Sequence, residues 1–153
     1  MTKVAAPLKT TEHGPRAVGI APLDDYIGYS VRRAQIAIFD EFNRVFEPLD
    51  LRPAQFSVLL VISRNPGLNQ SEVAASLGIQ RANFVALIDR LEKRGLVERR
   101  PLDRRSNALH LSAAGEALLA RAVILQDELE ASIEIRLGAG GKARLLELLR
   151  FIA

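Results

Sequence analysis

Apolar residues recur along this chain at two spacings, and a change of spacing marks a change of predicted element. Ile38, Phe42, Val45, Phe46 and Leu49 fall at i, i+4, i+7, i+8 and i+11, a continuous stripe that predicts a helix from about Asp25 to Glu47, limited by Pro48. A second helix starts at Pro53, a favoured first-turn residue. It runs through Phe56, Leu59, Leu60 and Ile62 to the stop Asn65-Pro66-Gly67. In NQSEVAASLG, Asn69 and Glu72 have the spacing of a capping box, and Val73, Ala74 and Leu77 point inward ahead of Gly78. A tight turn then leads to Phe84, Leu87, Ile88 and Leu91 at i, i+3, i+4 and i+7, a helix that ends at Gly95. Two short helices joined by a glycine turn, the second with a single buried stripe, predict a helix-turn-helix.

Beyond Gly95 the period falls to two. LVERR and ALHL predict short strands around the turn-forming PLDRRSN, with Leu109 and Leu111 facing one way and Ala108 and His110 the other. Ser112 opens a long helix from about Ala113 to Leu137. GAGG breaks it, and a last helix, Lys142 to Ile152, carries Leu145, Leu148, Leu149 and Ile152. The first 22 residues, interrupted by Pro7, Gly14, Pro15 and Pro22, predict an arm. The expected fold class is mainly α with a small β-hairpin wing: a single domain over 23–153, with a winged helix-turn-helix lobe at about 53–111 and terminal helices at about 25–47 and 113–153. The terminal helices carry more apolar residues than one small lobe can cover, and LLELLRFIA would expose a leucine patch on a monomer. An obligate two-fold dimer is therefore expected.

Composition narrows the chemistry. The chain has no cysteine, which removes disulfides, thiolate catalysis, cysteine–zinc sites and thiol redox sensing together. The opening residues lack the apolar core of a signal peptide, and no apolar run approaches the ~20 residues of a membrane span, so a cytoplasmic location is expected.

Charge is more telling in its distribution than in its total. Residues 80–105 hold eight basic and four acidic side chains, a net +4, whereas the rest of the chain has thirteen basic and fourteen acidic, a net −1. That window reads equally as a salt-bridged, solvated surface or as the footprint of a polyanion. Placement on a helix-turn-helix favours the polyanion. With the apolar stripe buried, the second helix presents Ala82, Ala86, Asp89 and Lys93, flanked by Asn83 and Arg90, with Gln80 and Arg81 at its exposed start. Asn, Gln and Arg can make bidentate contacts to base edges in the major groove, while Arg90, Lys93 and Arg94 suit phosphates. A hairpin just after this helix can reach the next minor groove, where arginine senses narrow A·T-rich DNA, and Asp103 would brace Arg105 or the turn.

RANFVALIDRLEKRGLVERRPLDRRSNALHLSAAG, preceded by LRPAQFSVLLVISRNPGLNQSEVAASLG, resembles the MarR family of winged-helix transcriptional regulators, from about Tyr26 to the C-terminus. The most specific elements are LEKRGLVERR, the DRR wing and the LHLSAAG return. The resemblance implies a recognition helix at Gln80 to Arg94 and a wing centred on Asp103, Arg104 and Arg105. It also implies homodimers formed by the terminal helices, a pseudo-palindromic double-stranded operator, no cofactor, and release by a small, often aromatic ligand. Ala86 stands where the family often has a polar or basic residue, and Ser112 where threonine is frequent. For the ligand, Tyr29, Arg32, Arg33, Ile36 and Phe39 combine apolar surface with two cations. They read either as dimer core with solvated arginines, or as a site for an aromatic acid or its coenzyme A thioester.

Other motifs weaken on inspection. GAGGKA at 138–143 follows a helix rather than a strand, and Ala143 stands where a P-loop needs Ser or Thr, so it reads as a hinge. His13 and His110 lie in different elements and make an improbable metal pair. Asn69-Gln70-Ser71 fits a glycosylation sequon, but nothing directs the chain to secretion. No nucleophile motif or paired carboxylate suggests an enzyme. A constitutive regulator without a ligand, or a winged helix that binds only protein, remain as alternatives.

Overall fold

The computed structural model describes residue 19, residues 22–102 and residues 106–152. The arm up to residue 18, His13 within it, and the wing residues Asp103, Arg104 and Arg105 lie outside the described residues. The chain divides into two units, one up to Gln35 and one from Ile36 onward. The first contains a 3-10 turn, Leu23–Asp25, and the start of α1 (Ile27–Val45), on which Ile27 and Val31 are exposed.

In the second unit α1 ends in a 3-10 turn, Glu47–Leu49, rather than continuing to Glu47 as one helix. The apolar stripe survives the change. Phe42, Phe46 and Leu49 are buried, and Ile38 at its start is exposed. Phe42 stacks on Phe46 with ring centroids 3.7 Å apart, and Phe56 meets Phe46 edge-on at 5.6 Å. That places α2 (Pro53–Arg64) against the end of α1, with Pro53 in its first turn and the Gln55 side chain accepting from the Arg52 N–H at 2.9 Å.

The short α3 (Gln70–Ser76) is started by the expected capping box. Asn69 Oδ1 accepts from the Ser71 and Glu72 N–H groups, and Glu72 accepts from the Asn69 N–H at 2.7 Å. Next come α4 (Arg81–Lys93), then β1 (Val97–Pro101) and β2 (Asn107–Leu111), paired antiparallel with Arg99 opposite Leu109. Phe84, Leu87, Ile88 and Leu91 are all buried. Between α4 and β1, Gly95 takes the left-handed conformation (φ 69°) that glycine alone adopts without strain.

The hairpin is covered on both faces at its centre. Ala108 and Leu109, neighbours on β2, are both buried. The reason lies elsewhere in the chain. The Leu109 N–H donates to the Leu68 carbonyl at 2.8 Å, the Gly67 N–H donates to the Leu109 carbonyl, and Asn69 bridges Ala108. The segment before α3 therefore lies along the free edge of β2, and the start of α3 packs against that strand.

α5 (Ala113–Leu137) is capped by Ser112, whose hydroxyl accepts from the Gly115 N–H at 3.0 Å and donates to the Gly95 carbonyl. Gly115 is compulsory in this arrangement, because a Cβ there would stand 2.0 Å from the Leu96 carbonyl oxygen. Ser112 and Gly115 thus seat the long helix directly on the α4–β1 turn. α6 (Gly141–Arg150) follows the glycine break and buries none of its residues.

Candidate nucleic-acid interface

α4 is fixed by its buried stripe, and that fixes what it presents. Gln80, Arg81, Ala82, Asn83, Ala86, Arg90 and Lys93 are exposed, joined by Val85. Arg81, Arg90 and Lys93 form no ion pair with another described residue, so their charge is available to an external anion. Arg90 folds back far enough to donate from Nε to the Ala86 carbonyl at 3.1 Å, which holds its guanidinium close to the helix surface.

Beside this face lies a concavity of about 420 Å³, lined by Asn69, Gln70 and Ser71 from the start of α3, Arg81, Phe84 and Val85 from α4, and Ser106 and Asn107 at the root of the hairpin. Sequence reasoning missed its α3 and hairpin residues. One signal was present: the first helix of a helix-turn-helix crosses the DNA backbone, which directs attention to its N-terminal residues.

Two residues expected on this face also bond within the protein. Asp89, placed by helical spacing on the outer face, is half-buried and turns toward β1, where its Oδ1 lies 2.5 Å from Arg99 Nη2. Glu92 accepts from the same guanidinium through Nη1, and the Arg99 side chain retains 19% of its exposure. A carboxylate pair around one arginine bolts β1 to α4. Arg94, expected to contact phosphate, donates to the Asp50 carbonyl at 2.6 Å and to the Leu49 carbonyl at 3.1 Å.

The basic cluster consequently thins at close range. Arg99 is paired with two acids, and Arg100 donates to Glu98 at 3.0 Å. The wing cations Arg104 and Arg105, like Asp103, lie outside the described residues.

The five candidate ligand residues divide between the units. Tyr29, Arg32 and Arg33 belong to the first, with both arginines exposed, and Ile36 and Phe39 open the second at 45% and 43% exposure. A different concavity appears within the second unit, a cleft of about 230 Å³ lined by Val45, Pro48, Leu49, Ile124, Leu125 and Arg121. Its lining is apolar apart from the arginine. No local pattern could have revealed it, because the end of α1 and the middle of α5 meet only in the fold. Among the described residues, no group of His, Asp or Glu could hold a metal ion, and no helix is long and apolar enough to cross a membrane.

A family model described as MarR family matches residues 49–106. The "Putative transcriptional regulatory protein for hcr operon" of Thauera aromatica is 35% identical over 130 residues, covering 81% of this chain and 76% of that protein. A structure of the transcriptional repressor CouR bound to a 23-mer DNA duplex superposes with a TM-score of 0.83 at 44% identity, covering 90% of this chain and 99% of that one. CouR bound to p-coumaroyl-CoA superposes with a TM-score of 0.84 at 41% identity, covering 89% and 97%.

Proposed function

Because the chain belongs to the MarR family, and is thereby a sequence-specific regulator that binds double-stranded DNA, we propose that its reading head is the outer face of α4 together with the hairpin wing. The carrying observation is that α4 commits its whole apolar stripe to the core and leaves Gln80, Arg81, Asn83, Arg90 and Lys93 outward. In the major groove Gln80, Arg81 and Asn83 would meet base edges, while Arg90 and Lys93 would meet phosphates. Asp103, Arg104 and Arg105 would extend the contact into the minor groove. Two copies joined through α1 and α6 would set two such heads against a pseudo-palindromic operator. The exposed leucines of α6 support that assembly.

The test is binding to an operator selected from random-sequence duplex, measured against unrelated DNA at matched salt. A dimer making a few phosphate contacts per subunit should show a log–log salt slope of roughly −4 to −8. Replacing Arg105 with Ala should cost ~1–3 kcal/mol per subunit, and Lys93→Ala should weaken all sequences more evenly. Equal affinity for selected and unrelated duplex would overturn the reading.

The protein acts in this proposal as a cytoplasmic repressor with no catalysis of its own, released by an aromatic acid or its coenzyme A thioester. Likeness to CouR supports it, since CouR has been seen both on DNA and with p-coumaroyl-CoA. Two sets of residues could receive such a ligand: Tyr29, Arg32, Arg33, Ile36 and Phe39, or the Arg121 cleft. A thermal-shift screen of aromatic acids and thioesters, followed by operator release, decides the matter. A coupling of ~1–3 kcal/mol would weaken DNA binding about 5–150-fold. Loss of the shift in Arg32→Ala/Arg33→Ala assigns the anion to α1, and loss in Arg121→Ala assigns it to the cleft. No hit would mean a constitutive regulator.

A further inference from the structure

We propose that Arg94 is a positioning residue for DNA recognition: by gripping the carbonyls of Leu49 and Asp50 it sets the angle of α4, and it does not touch the duplex. The inference rests on the reading of α4 as the recognition helix. It departs from what charge and position suggest, which is one more phosphate contact at the helix end.

Three observations converge on it. Arg94 is the C-cap of α4, so a bond from its side chain acts at the very end of that helix. Its two terminal nitrogens go to two successive backbone carbonyls, Asp50 O at 2.6 Å and Leu49 O at 3.1 Å, with the Asp50 carboxylate 3.7 Å away. A planar guanidinium matches such a pair of acceptors, whereas an ammonium presents a single charge point. Those acceptors lie where the 3-10 turn after α1 ends, and carbonyls at a helical C-terminus carry partial negative charge and lack partners within the turn.

The acceptor corner is itself held in a special shape. Asp50 takes the left-handed conformation, φ 47° and ψ 47°, the one non-glycine residue to do so among those described. Leu49 and Leu51 on either side are buried at 5% and 2% exposure, which anchors the corner in the core. The C-terminal end of α4 is thus tied to a rigid point 44 residues earlier in the chain, while Arg99 ties the helix to β1. In a two-headed protein the angle of this helix determines which half-site spacing both heads can occupy together.

The experiment uses the full-length protein and a duplex selected from random sequence by the wild type. A series inserting or deleting single base pairs between the half-sites accompanies it. In Arg94→Ala, operator affinity should fall about 10-fold. Affinity for unrelated duplex should stay within about 2-fold, the salt slope should be unchanged, and the preference for one spacing should flatten. Arg94→Lys should flatten that preference too, because a retained charge does not restore the two-carbonyl grip.

A salt slope shallower by about 2 units in Arg94→Ala, restored in Arg94→Lys, would show a phosphate contact in each subunit and overturn the proposal. Equal losses on operator and unrelated duplex, with the spacing profile intact, would overturn it by showing that the bond only supports folding. If Arg94→Ala does not fold, Arg94→Lys carries the same comparison, and its wild-type spacing profile would be fatal. A wild type without operator preference would instead bring down the DNA-binding reading, and this one with it.

Discussion

α4 and α6 have nearly the same grammar and opposite fates. Each is a short helix with four large apolar residues at helical spacing. α4 buries Phe84, Leu87, Ile88 and Leu91, whereas in α6 Leu145, Leu146 and Leu148 remain exposed and Leu149 is only half-buried. Helical periodicity states which side of a helix is apolar and is silent on what covers it. α4 is covered by its own chain through α3 and β1. α6 meets α5 and leaves Leu145, Leu146 and Leu148 exposed, so its stripe fits contact with a second copy.

The contrast is open to direct attack. The largest effect should come from Leu91→Ala, which empties a fully buried site in the lobe. Unfolding by urea should show a loss of ~2–5 kcal/mol, the same at every protein concentration. Leu145→Glu with Leu148→Glu should place two charges in a subunit interface. Because an obligate dimer has no stable folded monomer, the helical signal in circular dichroism should fall as the dimer comes apart. Light scattering should then report a monomer, with association weakened by roughly 3 kcal/mol. If this double variant stays dimeric, α6 is not the interface.

Gly115→Ala probes the seat of α5 on the α4–β1 turn, and its Cβ must displace backbone rather than a flexible side chain. Thermal melts should show a loss of about 1–3 kcal/mol. A neutral result would mean that α5 can slide without cost to the lobe.

The smallest effect concerns α5 and α6 themselves. Hydrogen bonding to Glu130, 3.1 Å away, chiefly raises the Lys142 pKa above 10.5, and the charge of Glu134 adds to it. A group whose pKa is higher when folded stabilises below its unfolded value and stops doing so as pH rises through the folded one. The melting difference between wild type and Lys142→Met should therefore be present at pH 8 and shrink above pH 10.5, with added salt reducing it throughout. A difference independent of pH would point to packing of the lysine stem.

The elements were legible in the residues because their causes are local. A capping box acts over three residues, as at Asn69 and Glu72, and an apolar stripe repeats within two turns, as from Phe84 to Leu91. Ser112 and the glycine after α4 likewise announced where one element stops and the next begins. The destinations of the charged side chains were not legible, because a guanidinium has the same local pattern whether its partner is phosphate, carboxylate or backbone carbonyl. Arg99 finds Asp89 ten residues back, and Arg94 finds Asp50 forty-four residues back. The edge partner of β2, the burial of Ala108 and the cleft beside Arg121 belong to the same class. Each comes into being when distant segments are brought together by a core whose closure no short window of sequence contains.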